Sequence, residues 1–583
     1  MLHQTTVGSM SMKLLFAFFA CLLFGVMVNA QPADFRPLVQ KALQNGEKRI
    51  VIPPGVYRLV PIAGQGAIWT LSNARDVEIV ADNVTLTGTK LTLGLTLNRC
   101  RNVTLQGLTL DYDPLPFTQG TVVAVAENKD SIDIQIHDGY PRQPYARIDL
   151  VDPQTRFRKK GMPFLWGTKA ALIAPDTVRI TLKGIGEAAS HGDLASLSTG
   201  PETNMPPHGI TLESCAGMTL RNVTVHSAPG MGIIESDGEG GNRYLGCKIV
   251  RGPKPPGATQ ERLLTTSWDA LQSKFTKIGP LVENCVIKEA GDDSWSVQSS
   301  DFLIVKSKGK ELTLAFRDEW TDGLQIGDAI QTSLDGPQAR IMARKIVRRD
   351  AANLAPEVLE RLKAASPYSL WNVSPKCMEI TLDRELPFSL GASVYSPDRQ
   401  GNGFIFRNNQ IHSPGRILIK AGGLIENNHL DTPHNLMVCP EVPGEAAAGI
   451  QNLTIRGNTI RQAGYFCPAP WSAAAGAISI TASLSPPQLR SAGVFKNIVI
   501  ENNTFEDICG PNLVVTSARD VKIRNNRILN AGQVKSKNTG ESYHVALDSL
   551  IWIKQCENVH MQNNDIINPG PFVGQAVVLG SNR

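Results

Sequence analysis

Three aspartates offer the clearest chemistry in this chain. Asp269 is followed 23 and 24 residues later by the adjacent pair Asp292 and Asp293, in the strings SWDALQSK and GDDSWSVQ. Carboxyls crowded into one site separate in proton affinity, so that one holds its proton while another stays charged. An acid and a base side by side are what glycosidic hydrolysis requires, with carboxyls about 6.5–9.5 Å apart for inversion and about 5–5.5 Å for retention. Trp268 and Trp295 flank the acids and could pack on sugar C–H faces, or could equally belong to a core. Glu235, Gln272, Lys274 and Gln298 lie within reach in sequence. Arg416 and Lys420, in GRILIK, share strand parity and would point to one face. These eight residues are candidate sugar contacts. The plainer alternatives are a calcium site or Asp-rich turn for the pair, a surface carboxylate for Glu235, and charged strand edges for Lys274, Arg416 and Lys420. His208 and His226 read as hydrogen-bonded turn residues.

The 23-residue interval has meaning only if the chain repeats. Short strings recur: NVTLQGLTL from Asn102, MTLRNVTV from Met218 and LTIRGNTI from Leu453, then IVIENNTF, VKIRNNRI and VHMQNNDI. Each unit is a short apolar-alternating strand, an Asn- or Gly-rich turn and another strand. No unit could bury a core alone, so neighbours must stack. A period of about 20–25 with several short strands indicates a parallel β-helix rather than leucine-rich repeats, whose helical half is missing. One coil then separates Asp269 from the pair, and the asparagines form a ladder at one corner. Phe35, Leu38, Val39, Ala42 and Leu43, stopped by Gly46, predict a helix capping the first coil.

Bulk properties restrict the partners. A formal net charge of +5 over 583 residues, with no basic block, argues against nucleic acid. Lys13 precedes a 15-residue apolar run from Leu14 to Val28 and then Asn29-Ala30-Gln31. That run is short for a membrane span and reads as a secretory signal cleaved near Ala30, giving a secreted or periplasmic product with no span in the mature chain. Ten cysteines would suggest disulfides in an exported protein. Cys100, Cys215, Cys285 and Cys556, however, recur in similar strings, which predicts free thiols stacked in the core.

The strings DYDPLPFTQG from Asp111, HSAPGMGIIES from His226, RLLTT before Trp268-Asp269, and Gly291-Asp292-Asp293 resemble glycoside hydrolase family 110, the bacterial α-1,3-galactosidases. That resemblance implies a β-helix carrying β-barrel inserts and an inverting exo-hydrolysis of terminal α-galactosides without metal or cofactor. It also implies catalytic roles for Asp269, Asp292 and Asp293. The chain departs from the family where a His follows the first catalytic Asp and an Asn and a His follow the pair. Here those stretches read Ala270-Leu271-Gln272 and Ser294-Trp295-Ser296.

The expected architecture is an all-β, right-handed parallel β-helix with two inserted β-barrel-like domains. Its segments are a signal peptide (1–30), cap helix and first coils (31–113), first insert (114–200), central coils with the site (201–299), second insert (300–400) and last coils (401–583). The expected partner is an oligosaccharide or polysaccharide. The rivals are a polygalacturonase-like hydrolase, a polysaccharide lyase acting on acidic chains, and a glycan-binding β-helix without catalysis.

Overall fold

The computed structural model describes residues 33–162, 165, 168–199, 206–316, 323–348, 354–363, 376–438, 449–465, 476–485, 488–537 and 543–580. The expected signal segment lies outside them. The strands stack into three parallel sheets of 12 strands each, so successive coils lay one strand on each of three faces. Face 1 runs from Arg49–Val51 to Glu557–Gln562, face 2 from Gly55–Leu59 to Asp565–Ile567, and face 3 from Ala67–Ser72 to Val577–Leu579. Inward positions repeat in columns: on face 1, Leu105, Leu220, Tyr244, Val282 and Phe406 are successive register partners, all buried. One coil supplies only one row of this core, so burial is complete only when neighbours stack.

The Asn-Asn pairs divide two tasks. The first residue, as in Asn408, Asn427, Asn502, Asn525 and Asn563, takes the left-handed backbone that turns the corner from face 1 to face 2. The second joins a ladder of six, Asn409, Asn428, Asn458, Asn503, Asn526 and Asn564, the first five buried and the last partly exposed. Each amide Nδ2 donates to the next Oδ1 at 2.9–3.1 Å. Cys247 and Cys285 occupy the same corner on earlier coils, and the Cys285 N–H donates to Asn409 Oδ1 at 2.8 Å. Cys100, Cys215 and Cys556 belong to a different corner, between faces 3 and 1. The recurring cysteines thus form two columns, and all are buried free thiols.

The helix α1 (Arg36–Gln44) caps the first coil, with Val39 and Ala42 buried and Gly46 left-handed beyond its end. Phe35, just before it, packs edge-on against Tyr57 and Trp69 with ring centroids 5.0 and 4.9 Å apart. Leu38, expected on the apolar face, is exposed instead.

Two six-stranded antiparallel sheets interrupt the coils. The first lies between Phe117 and Ser198 and leaves the solenoid after a face 2 strand, Thr109–Tyr112, returning into face 3 at Ile210–Glu213. The second lies between Phe302 and Val394; it leaves after a face 3 strand, Trp295–Gln298, and returns into face 1 at Phe404–Arg407. The two inserts therefore depart from the two corners that border face 3.

The ladder makes a stability prediction. Asn458→Ala would strip the acceptor from the Asn428 backbone and amide N–H groups, both bonded to Asn458 Oδ1 at 2.9 Å. We expect a loss of about 1–3 kcal/mol, read as a lower urea midpoint.

Candidate active site

The site is built by register on face 3. Leu271–Lys274 pairs with Trp295–Gln298, Leu271 opposite Trp295, and the next strand, Ile417–Ile419, sets Ile417 opposite Trp295. Counting two residues back places Asp269, Asp293 and Gly415 at one rung position, followed by His434 on the next coil. Parallel strands lie about 4.8 Å apart. The ladder continues through the approach loops, Ala270 N–H donating to Asp293 O at 2.9 Å and Ser294 N–H to Arg416 O at 2.8 Å. Asp269 is thus one rung from Asp293 and its neighbour Asp292.

Only glycine allows these loops so close. A Cβ on Gly291 would strike the Ser267 carbonyl, and one on Gly415 would strike the carbonyl of Asp292. With both absent, the Gly291 N–H reaches Thr266 O at 2.9 Å and the Asp292 N–H reaches Trp268 O at 3.3 Å.

The three carboxyls meet different surroundings. Asp293 is buried and accepts from Arg416 Nε at 2.8 and 3.0 Å on its two oxygens. Asp269 is buried and accepts from Gln272 Nε2 at 3.0 Å. Gln272 Oε1 itself is buried without a hydrogen-bond partner among the described residues. Asp292 retains part of its surface, yet protein packs densely enough around its carboxyl that burial pushes its pKa up. Arg147, Arg416 and Arg158 oppose that rise, and Asp149 adds to it. His434 is pushed down to about 3 by burial and then by Arg416, so it is neutral. Its Nδ1 lies 2.7 Å from Asn435 Oδ1 and 3.0 Å from the Asn435 backbone nitrogen.

Strand parity sorts the remaining candidates. Gln272, Lys274, Ser296, Gln298 and Lys420 point away from the core, as does Arg416 at the head of its strand. Yet Lys274 and Lys420 are only 3% exposed and Gln298 only 5%. The inserts dock at the two ends of these strands. The first docks on the loops before face 3, with Arg147 Nη1 donating to Ser267 O at 2.7 Å. The second docks on the turns after it: Asp237 Oδ1 accepts the Gly323 N–H at 2.9 Å, and Phe275 packs on Phe302 at 5.8 Å. Trp268 is partly exposed beside Asp269.

Two candidates face the other way. Trp295 lies inside the solenoid, stacked on Phe406 at 4.1 Å and 10° and edge-on to Phe404. It shares parity with Leu271 and Ile417, so it is core and no platform for sugar. Glu235 sits opposite Ser273 in register and is likewise internal. It accepts from Ser273 Oγ, Asn242 Nδ2 at 2.5 Å and Tyr244 Oη at 3.0 Å, and burial pushes its pKa up. A substrate outside the coils cannot reach either residue.

Arg147, Asp149, Arg158 and His434 were absent from the sequence reading. The alternation Arg147-Ile148-Asp149-Leu150 was a usable signal, because it puts two opposite charges on one face of a strand that is buried throughout. His434 offers no such signal, since its place depends on register across two coils.

Three of the four strings that carry the family resemblance meet in one buried node. Arg262 Nη1 and Nη2 each donate to Asp111 at 2.9 Å, and Ser227 Oγ adds a bond of 2.6 Å. Gln119 accepts the Leu263 N–H and donates to Glu261 O, both at 2.8 Å. The node ties the root of the first insert to the loop leading into Asp269. His226 Nδ1 is 4.0 Å from Asp111, and His208 Nδ1 accepts the Met231 N–H at 3.1 Å, burial lowering its pKa to about 4. Among the described residues, no group of three or more His, Cys, Asp or Glu could hold a metal ion, and no helix is long and apolar enough to cross a membrane.

A family model described as right handed beta helix region matches residues 400–583. The fold is accordingly a right-handed parallel β-helix. No curated protein matches the chain in sequence. Among solved structures, it is similar to the mannuronan C-5 epimerase AlgE4 A-module of Azotobacter vinelandii (10% identity, 94% of each chain, TM-score 0.36). It is also similar to the catalytic domain of a GH87 α-1,3-glucanase in complex with tetrasaccharides (11% identity, 94% of this chain and 67% of that one, TM-score 0.40). A third is the family 28 exopolygalacturonase of Yersinia enterocolitica (12% identity, 96% and 78%, TM-score 0.36).

The buried node is testable by a double-mutant cycle. Arg262→Met leaves the Asp111 charge buried alone and should cost about 3–5 kcal/mol in urea unfolding. Adding Asp111→Asn should recover a substantial part of that loss.

Proposed function

We propose that this chain is an exported glycoside hydrolase, exo-acting and inverting on terminal α-galactosides or a related sugar. The observation that carries the hydrolase reading is the contrast between adjacent carboxyls: burial raises the pKa of Asp292, whereas Asp293 is ion-paired with Arg416. Two carboxyls driven apart by their surroundings are an acid and its charged counterpart. Asp292 donates a proton to the leaving glycosidic oxygen. Asp293 and, one rung away, Asp269 supply the carboxylate side that activates water. Gln272 holds Asp269 through its Nε2, and its buried Oε1 is an acceptor without a bond among the described residues. The galactoside assignment rests on the sequence resemblance, and export rests on the apolar run ending near Ala30.

A second reading has its own support. Arg416 stands at the head of the outward side of face 3 with Arg147 docked beside it, Lys274 and Lys420 stand at the far ends of the same strands, and such a line of cations suits a chain of uronic-acid residues. A purified-protein screen on α- and β-glycosides, natural galactosides and uronides separates the two. Release of galactose with inverted anomeric configuration is expected; cleavage of uronides alone would favour the acidic substrate, and an unsaturated product a lyase.

On the cleaved substrate, Asp292→Asn should lower kcat by about 10²–10⁴-fold. Because the acid works only while protonated and its pKa is raised, activity should persist above the ordinary carboxyl range and then fall as pH rises through that value. Unchanged turnover in the Asp269, Asp292 and Asp293 variants alike would reject the site.

A further inference from the structure

The first insert brings a charged group of its own to the acid. Arg147 Nη2 lies 3.4 Å from Asp149 Oδ2 and Arg158 Nε 3.4 Å from Asp149 Oδ1, so one carboxylate sits between two guanidiniums. All three residues are at most 6% exposed. The group is rooted in the insert: strand Arg147–Val151 pairs antiparallel with Leu194–Ser198, and Arg158 Nη2 donates to Met162 O at 3.3 Å. Its leading end rests on the solenoid, where Arg147 Nη1 donates to the Ser267 carbonyl. That carbonyl is the same group against which Gly291 packs. The group therefore docks one residue from Asp292.

Two cations to one anion leave the group with an excess positive charge in a setting that excludes water, where its influence on a neighbouring carboxyl is strong. The other charges facing Asp292 come from the solenoid: the Arg416–Asp293 pair on the following coil and its own, and Asp269 one rung before. His434, a further coil along, is neutral and contributes none.

We infer that the Arg147–Asp149–Arg158 group is a positioning device for the reaction, through which the inserted domain sets the charge state of the Asp292 acid. The inference rests on the hydrolase reading for its catalytic meaning and on the docking geometry for its electrostatic one. Burial alone would hold the acid protonated so firmly that it would give up its proton reluctantly. The two guanidiniums counter that, and Asp149 limits how far they do so, in agreement with the signs of the influences on Asp292.

The test uses charge changes of opposite sign in the full-length protein. Arg158→Met removes a cation and should move the high-pH limb of kcat/KM upward by about one pH unit. Asp149→Asn removes the anion and should move it downward. Arg158→Lys keeps the charge and should leave the limb close to its original position. A merely structural role would lower activity at every pH without moving the limb. The same four proteins, labelled with ¹³C at the Asp carboxyls, report the Asp292 titration directly, its signal assigned by its loss in Asp292→Asn. A midpoint that moves as stated, in protein that cleaves no glycoside, upholds the electrostatic role and sinks the hydrolase reading. Cleavage with a midpoint equal in all four proteins overturns the inference and leaves the hydrolase intact. Should Asp149→Asn fail to fold, Arg158→Met against Arg158→Lys makes the same comparison.

Discussion

The backbone ladder between parallel coils fixes everything that follows. Because each strand bonds to the same strand of the next coil, a given place in the repeat returns after one rise of about 4.8 Å. That spacing is insensitive to how many residues lie between, whether the 24 from Asp269 to Asp293 or the 122 from Asp293 to Gly415 across an entire inserted sheet. Groups far apart in sequence are thereby brought within one rung of each other at no conformational freedom beyond that already spent on the coils. The requirement passed to the sequence is small size where loops touch. Gly291 and Gly415 meet it, since each packs on a carbonyl of the preceding coil where no Cβ fits.

Spacing alone gives three equivalent acids on an open surface, which would all ionise at neutral pH. The inserts change this. They leave the solenoid at the two corners bordering face 3, and each returns a contact to the loops of that face, the first through Arg147 and Ser267, the second through Asp237 and Phe275. Burial beside the docked first insert raises the proton affinity of Asp292, while Arg416, delivered by the next coil, holds Asp293 as a charged partner. The solenoid sets distance, and the inserts set dielectric. Neither half suffices for acid and base to differ.

Much of this was legible in the chain. Period, alternation and Asn-rich turns identify the coils because a stacked core demands the same residue class at the same place each time. The Asp269 interval follows from that period. What the strings could not tell was parity at the strand heads. Trp295 and Glu235 stand beside the acids in sequence, but the side chain reverses at every residue, and both point into the solenoid. Trp295 completes a stack with Phe404 and Phe406 that lies more than a hundred residues downstream. Glu235 is satisfied by three internal donors, Ser273, Asn242 and Tyr244, that share no motif with it. Arg147, Asp149 and Arg158 escaped for a different reason, since a contact between insert and coil has no period.

Three of the four strings behind the family resemblance serve docking. Asp111, Gln119, Ser227 and Arg262 bind one another and bury their charges together, at the root of the first insert. An insert that must hold two arginines against Asp292 cannot swing, because Coulomb interactions in a dry setting change steeply with distance. A rigid hinge is therefore part of the electrostatics of the acid. The same reasoning separates the places where chemistry and selectivity can vary. In the proposed hydrolase, altering Asp292, Asp293 or the node at Asp111 would disturb the proton balance, whereas Gln272, Lys274, Gln298 and Lys420, on the outward side of face 3, would be the groups to read a ring hydroxyl or carboxylate. In such a hydrolase the sugar can then change along with those four side chains while Asp292 and Asp293 stay as they are.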